Sequence, residues 1–405
     1  MSEQQRYRVI KRLASGGMAE VFVAESAGIE GFRKQVAIKR VLPQLSKKEQ
    51  FIAMFLDEAR LSAHLSHSNV VSVFDIGVGD GTYFIVMEYV EGADLKAVMD
   101  HYKKIGEQIP VEAACYIATR ICQGLGYAHE LKNAEGKPLD IIHRDITPAN
   151  VLITRYGEVK IVDFGLAKAS SQLAASDAGV IKGKFGYLAP ETVMEMPVDR
   201  RVDVFAVGII LWEMLTGRRL FLGETDFQTV RQVRDAVVPS IGAINRAVSP
   251  ELEGIVRHAL ARDPAQRYIN ARDLGRDLTR FLFRHGQPVG DDNVAELVVG
   301  AIGGGTEKPV DGVKKISDMI DLVLLEFRSL TKEEAEKEKA TSPSLFPETL
   351  SFRTNPPPAG EGEGDTAMDM PLGGLADELE GPDPTPSSPG ESSTVAAWFR
   401  GLIPR

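Results

Sequence analysis

Ile141–Gly165 reads IIHRDITPANVLITRYGEVKIVDFG. Asp145 follows His143 and Arg144 after an apolar pair, and Asn150 lies five positions on. Asp163 ends a run of β-type residues (Val159, Ile161, Val162) just before Phe164 and Gly165. This spacing puts a carboxylate, a carboxamide and a second carboxylate on two short loops joined by a hairpin. Such a set can hold a divalent metal on the phosphates of a nucleotide and orient an incoming hydroxyl. Phosphoryl transfer needs little covalent help from a protein, so positioning and charge neutralisation carry it, and the inventory suits both.

The stretch resembles the catalytic loop and metal-binding loop of the bacterial eukaryotic-like (Hanks-type) serine/threonine protein kinases, with HRD, an asparagine five residues after its aspartate, and DFG. Either tripeptide alone is a weak signal, but the two at this separation with Asn150 between them are a strong one. The resemblance covers about residues 7–284. It implies an α+β, two-lobed protein kinase fold, with a small β-rich N-lobe (1–89), a larger helical C-lobe (90–285) and ATP in the cleft. Asp145 would accept or orient the proton of the substrate hydroxyl. Asn150 and Asp163 would bind Mg²⁺, or Mn²⁺ in its place.

Working toward the N-terminus, YRVIKRLASGGMAEVFVAE from Tyr7 alternates apolar and polar residues around a glycine-containing turn, which is a hairpin pattern. The family carries G-x-G-x-x-G-x-V here, folded over the ATP phosphates. The matching positions are Ala14, Gly16, Ala19 and Val21, with Gly17 beside Gly16, so two of three glycines are alanine and the loop is stiffer. KQVAIKRV (34–41) reads as a strand carrying Lys39 in the V-A-I-K pattern. Helical periodicity over 48–65 (Phe51, Met54, Phe55, Ala59, Leu61, Leu65) encloses Glu58. The resemblance makes Lys39 the ligand of the α- and β-phosphates and Glu58 the carboxylate that holds it. Two further strands, 71–78 and 82–89, lead into MEYVEGADL as the hinge between lobes. Met87 would back the adenine or belong to the core. Glu88 to Val90 would offer backbone hydrogen bonds, Asp94 would reach the ribose, and Leu13, Ala37 and Leu152 would complete the nucleotide-binding set.

Beyond the hinge the pattern is mainly helical, with a long apolar-rich helix over 111–131. The activation segment would run from Asp163 to Ala189-Pro190-Glu191, with Ser170, Ser171 and Ser176 inside it. Ser176 is the site we expect to be phosphorylated, with Arg144 as its charge partner. VDVFAVGIILWEMLT (202–216) is apolar nearly all round, so its one early acid, Asp203, is costly unless paired. The resemblance supplies a partner for Asp203 in the backbone of the HRD loop, and pairs Arg267 with Glu191. One departure from the family is double. The lysine usual two residues after the catalytic aspartate is Thr147, and the threonine usual in the G-T-x-x-Y segment is Lys184. We read this as an exchange in which Lys184 reaches back toward the γ-phosphate and Asp145.

The 405 residues leave room for two or three structural units, and 43% apolar with 26% charged residues is ordinary for a globular protein. A net charge of -10 argues against backbone-driven nucleic-acid binding. Cys115 and Cys122, the only two cysteines, have neither metal-ligand nor disulfide-framework spacing and read as core residues of a reducing compartment. No apolar run approaches the roughly 18 residues of a membrane span, so the expected location is the cytoplasm. A loop-rich connector is expected over 290–309, with a short apolar patch at 294–302. Ile316, Met319, Ile320, Val323, Leu324 and Phe327 then follow helical spacing, packed on the core or left as a docking face. Residues 286–340 thus form a helical extension. From Thr341 the chain is rich in Pro, Gly and Ser, with ten acids against three arginines, and is expected to be disordered. Its end, VAAWFRGLIPR, is either a partner-docking motif or a functionless apolar terminus. The partners expected are protein substrates, a docking partner for the tail and a second copy met transiently during autophosphorylation. Two other readings stand beside the kinase: a nucleotide-binding pseudokinase scaffold, favoured by Ala14, Ala19 and Thr147, and a small-molecule phosphotransferase, disfavoured by the APE segment.

Overall fold

A computed structural model describes residues 7–16, 19–27, 33–79, 82–164, 185–285 and 288–303. By its internal contacts the chain divides into two units, Met1–Pro309 and Val310–Arg405, and all the described residues lie in the first.

Alternating β-branched residues build the N-terminal part, where strands β1 (Tyr7–Ser15), β2 (Ala19–Ala27), β3 (Arg33–Val41), β4 (Val73–Gly79) and β5 (Thr82–Glu88) form one antiparallel sheet. Their order is β1-β2-β3-β5-β4. Helix α1 (Glu49–Ala63) lies between β3 and β4 in the chain. It buries Phe55 and Ala59 with Val41 and Ile85. In register, Lys39 stands opposite Val21 on β2 and Ile85 on β5, and Ala37 stands opposite Val23 and Met87. Because side chains alternate along a strand, Lys39 and Ala37 share one sheet face.

A three-stranded sheet, β6 (Gly92–Asp94), β7 (Val151–Thr154) and β8 (Val159–Ile161), opens the helical part in the order β6-β7-β8. Helices α2 (Leu95–Ile105) and α3 (Val111–Glu130) precede β7 in the chain. After β8 come α4 (Pro190–Val193), α5 (Arg201–Thr216), α6 (Asp226–Asp235), α7 (Pro250–Ala259), α8 (Ala271–His285) and α9 (Asp291–Gly303). The side chain of Asp94 caps α2 by accepting from the Ala97 N–H at 2.7 Å. Ser249 caps α7 in the same way, with Pro250 at its first position. α5 is buried from Val202 to Thr216, as its all-round apolar sequence requires, and packs against α3, α7 and α8. Cys115 and Cys122 are buried, free thiols on α3. Burial pushes both thiols up, so they are inert core residues.

The two-lobed α+β expectation is met. The connector expectation over 290–309 is not, because Asp291–Gly303 is a helix. Asp291 and Asp292 sit in its first turn, and Val294, Leu297 and Val298 repeat at helical spacing and are buried. Glycines at 290, 300 and 303 concealed that stripe. The remaining expectations for the C-terminal part, the helix at 316–327, the disordered tail from 341 and its apolar end, lie outside the described residues.

Candidate phosphoryl-transfer site

Lys39 reaches the cleft from β3 and is 6% exposed. Its Nζ donates to Glu58 Oε1 on α1 at 2.9 Å and to Asp163 Oδ1 beyond β8 at 2.7 Å. One ammonium therefore ties the sheet to α1 and, across the cleft, to the helical lobe. Burial alone would lower the Lys39 pKa, but the carboxylates of Asp163 and Glu58 outweigh it and raise the group above the usual lysine range. Glu58 shares its cation with Asp163 and is itself 5% exposed; burial pushes its carboxyl up to about 7.

His143 and Asp203 hold the opposite wall. His143 is fully buried, its ring centroid 4.5 Å from that of Phe164. Its Nδ1 lies 3.2 Å from the Asp145 N–H and its Nε2 3.1 Å from the Val162 carbonyl. The ring so placed accepts at Nδ1 and donates at Nε2, linking the catalytic-loop backbone to the strand leading into Asp163. Asp203, 1% exposed, accepts from the backbone N–H of His143 at 2.9 Å and of Arg144 at 2.8 Å, and meets His129 Nε2 at 2.8 Å. Burial would raise its carboxyl, but the hydrogen bond with His129 and that from the Arg144 N–H hold it below the usual range. The pairing with the loop backbone was expected; His129, an α3 residue without a sequence signal of its own, was not. Arg144 and Asp163 both have φ of 65°, a conformation costly for a residue with a Cβ. The Asp203 bonds hold Arg144 in it, and the Lys39 bond holds Asp163.

Asn150 closes a 3-10 turn that begins at Pro148, and its Nδ2 donates to the Asp145 carbonyl at 2.8 Å and to Asp145 Oδ2 at 3.2 Å. With its nitrogen used inward, Asn150 offers its carboxamide oxygen as an acceptor. Together with the part-exposed Asp163 carboxylate this is an all-oxygen pair, as a small hard cation shared with phosphates requires. Among the described residues no group of three or more His, Cys, Asp or Glu forms a self-sufficient metal site.

Val21, Ala37, Met87, Val90 and Leu152 meet in one apolar cluster with Val71, Val73, Tyr89 and Val162. Met87 is 6% exposed and also lines the cavity beside Lys39, Glu58 and Asp163, so it is both core and cleft. The Val90 N–H has no hydrogen bond among the described residues. The Glu88 N–H, by contrast, is bonded to the Ser72 carbonyl at 2.8 Å, and the Glu88 carboxylate pairs with Lys160 at 2.9 Å. Asp94 stands opposite Leu152 between β6 and β7, with one oxygen committed to its cap. Leu13 is 45% exposed and Ala14 and Gly16 are exposed, so these three are not gathered into the apolar cluster. Gly17, Lys184 and the three serines of the activation segment lie outside the described residues. Past that segment, Arg267 clasps Glu191 with two bonds, Nη1–Oε1 at 2.6 Å and Nη2–Oε2 at 2.7 Å, with both residues buried.

The family model for the protein kinase domain matches residues 7–275. The chain belongs to the protein kinase family. It is 39% identical over 279 residues to the tyrosine-protein kinase MasK of Myxococcus xanthus, covering 69% of this chain and 43% of that protein. It is 35% identical to the serine/threonine-protein kinase PrkC of Bacillus subtilis, covering 67% and 40%, and 34% identical to PknL of Mycobacterium tuberculosis, covering 67% and 65%. The chain thus spans less than half the length of the first two relatives. Among solved structures it superposes on the kinase domain of M. tuberculosis PknI with a TM-score of 0.51 at 26% identity, over 68% of this chain and 96% of that one. No helix among the described residues is long and apolar enough to cross a membrane.

Proposed function

We propose that the chain is an ATP-dependent protein kinase that transfers the γ-phosphoryl group to serine or threonine hydroxyls of proteins, itself included, in bacterial signalling from the cytoplasm. The observation that carries the reading is the bridge from Lys39 to Glu58 and Asp163, which draws residues from three elements to one point of the cleft. In this reading the adenine lies against Val21, Ala37, Met87 and Leu152, with the Val90 N–H as its hinge donor and the exposed Leu13, Ala14 and Gly16 closing over it; Gly17, beside Gly16 in sequence, belongs to the same proposed set. The Glu88 N–H is already used, so only its carbonyl serves the hinge. Lys39 neutralises the α- and β-phosphates, and Asp94 turns its second oxygen to the ribose.

Asn150 and Asp163 would hold Mg²⁺, or Mn²⁺, which supplies charge neutralisation on the phosphate oxygens when bound. Asp145 accepts the proton of the attacking hydroxyl, and Asn150 orients Asp145 through its two hydrogen bonds. Lys184 is proposed to bring to the γ-phosphate the charge that Thr147 lacks. If so, Lys184→Thr alone cuts turnover and adding Thr147→Lys restores it. Unchanged turnover in Lys184→Thr would remove the idea.

The name of the Myxococcus relative favours tyrosine as a second acceptor. Pro148, shared with the serine/threonine branch, supports serine and threonine as the main ones. A pseudokinase scaffold is the alternative, and the complete phosphate- and metal-handling set speaks against it. The test is phosphate incorporation from labelled Mg-ATP into the chain and into a generic basic protein, with Lys39→Met and Asp163→Asn alongside. Incorporation abolished by both variants, with phosphoserine or phosphothreonine in the hydrolysate, is the expected result. ATP binding without transfer would establish the scaffold instead, and phosphotyrosine alone would move the specificity.

A further inference from the structure

α9 begins after the kinase-domain match ends at residue 275, yet it is built into the layer that supports the cleft. Val294, Leu297 and Val298 are 0%, 3% and 0% exposed. The elements packed against the helix are α2, β6, β7 and α3. Polar contacts fasten its first turn, since the Tyr116 hydroxyl on α3 donates to Asp291 Oδ1 at 2.9 Å and the Arg120 guanidinium donates in turn to Tyr116. Just upstream, His285 Nε2 meets Glu112 Oε1 at 3.1 Å. Gly157, in the β7–β8 turn, has φ of 88°, and the Asp291 carbonyl fills the space a side chain there would take.

The elements under α9 are the ones that carry the sugar side of the proposed nucleotide site. Asp94 ends β6 and caps α2, and Leu152 stands opposite it on β7. Their sheet has three strands of three, four and three residues. So short a sheet is not stable without packing on a face. α3 packs on β8, while α9 packs on β6 and β7 together with α2.

We propose that α9 is a positioning element for the nucleotide: docked, it holds β6, β7 and the start of α2 in the arrangement that binds Mg-ATP. Nucleotide affinity depends on it, and the transfer step does not. The inference rests on the kinase reading of the cleft, and its test separates the two. In the full chain, Leu297→Asp places a charge in the buried stripe. Gly157→Asn places a side chain against the first turn of α9; the left-handed φ adds backbone strain, which asparagine bears better than other residues with a Cβ and which thermal unfolding registers. Hydrogen exchange over 291–303 reports whether α9 is docked, and thermal unfolding reports that the remainder is folded. Calorimetry with Mg-ATP and steady-state transfer to a basic protein give affinity, KM and kcat.

If undocking leaves about one molecule in ten in the binding-competent arrangement, both variants bind Mg-ATP about tenfold more weakly, with kcat at saturating ATP within about twofold of wild type. Leu297→Met, which keeps the volume, should retain wild-type affinity. Rapid exchange over α9 with unchanged Mg-ATP affinity would overturn the inference, as would a fall in kcat with affinity intact. Failure of the wild-type chain to bind Mg-ATP would instead overturn the kinase reading, and this inference with it.

Discussion

Two carboxylates and one ammonium share the centre of this site, and the imbalance has a measurable consequence. The Glu58 carboxyl is raised from its ordinary value of 4.5 to about 7 by burial, so the folded protein holds its proton over a pH range in which the unfolded chain has released it. Stability from this group is therefore fully present below about pH 4.5 and is lost as pH rises to 7. Lys39, held above the usual lysine range, stays charged throughout. Urea midpoints at pH 5 and pH 7 should show this decline in the wild type and a flatter profile in Glu58→Gln; parallel profiles would refute the assignment. Asp203 carries the opposite sign, since its ionised form is the one bonded to His129 and to two backbone N–H groups. Asp203→Ala leaves three buried donors unpaired and should lower unfolding free energy by about 3 kcal/mol or more, read by urea titration. Transfer activity should fall with it, because Arg144 loses the bonds that hold its left-handed backbone.

At the level of elements, the segment after the cleft is anchored by one ion pair. Arg267 and Glu191 are 3% and 2% exposed, and the guanidinium also lies 4.6 Å over the Phe205 ring of α5. A buried pair of this kind is costly to break from one side, because the remaining charge is left without a partner. Arg267→Met or Glu191→Gln alone should each cost about 3–5 kcal/mol. The double variant should cost less than the sum, and a double-mutant cycle of urea midpoints measures the coupling. Additive losses would mean that the two residues act through separate neighbours. In α9 the stripe of Val294, Leu297 and Val298 is present in the sequence, but the flanking residues give it the look of a patch within a loop. Flanking glycines argue locally against a helix, and burial against α2, β6, β7 and α3 overrides that preference.

For the whole molecule, the cleft predicts linkage between ligand and stability. Mg-ATP at 100 times its dissociation constant should raise the unfolding free energy by about 2.7 kcal/mol. Asp163→Asn should lose most of that gain in magnesium while retaining part of it without metal. Thermal unfolding with ATP, with and without Mg²⁺, checks both, and equal stabilisation of the variant would remove Asp163 from the metal site. The linkage follows from architecture, because Lys39 and Asp163 come from opposite walls and a ligand that engages both also joins the walls.

The fold family was legible through resemblance, whereas the residues themselves mark the strand that carries Lys39, the helix that carries Glu58 and the loop pair that carries Asp145, Asn150 and Asp163. Those readings rest on residue type at fixed short spacing and on periodicity, and both are local properties. The contact from Asp203 to the catalytic loop and that from Arg267 to Glu191 were legible only through resemblance, since 58 or more residues separate the partners. The rest depends on packing. Packing placed His129 against Asp203, committed the Glu88 side chain to Lys160 and its N–H to Ser72, and left the Val90 N–H unbonded among the described residues. It also left Leu13, Ala14 and Gly16 exposed while Val21 joined the cleft cluster, and it made a helix of Asp291–Gly303. Each of these depends on which groups compete for the same donor or the same buried face, and that competition exists only once distant segments are packed together.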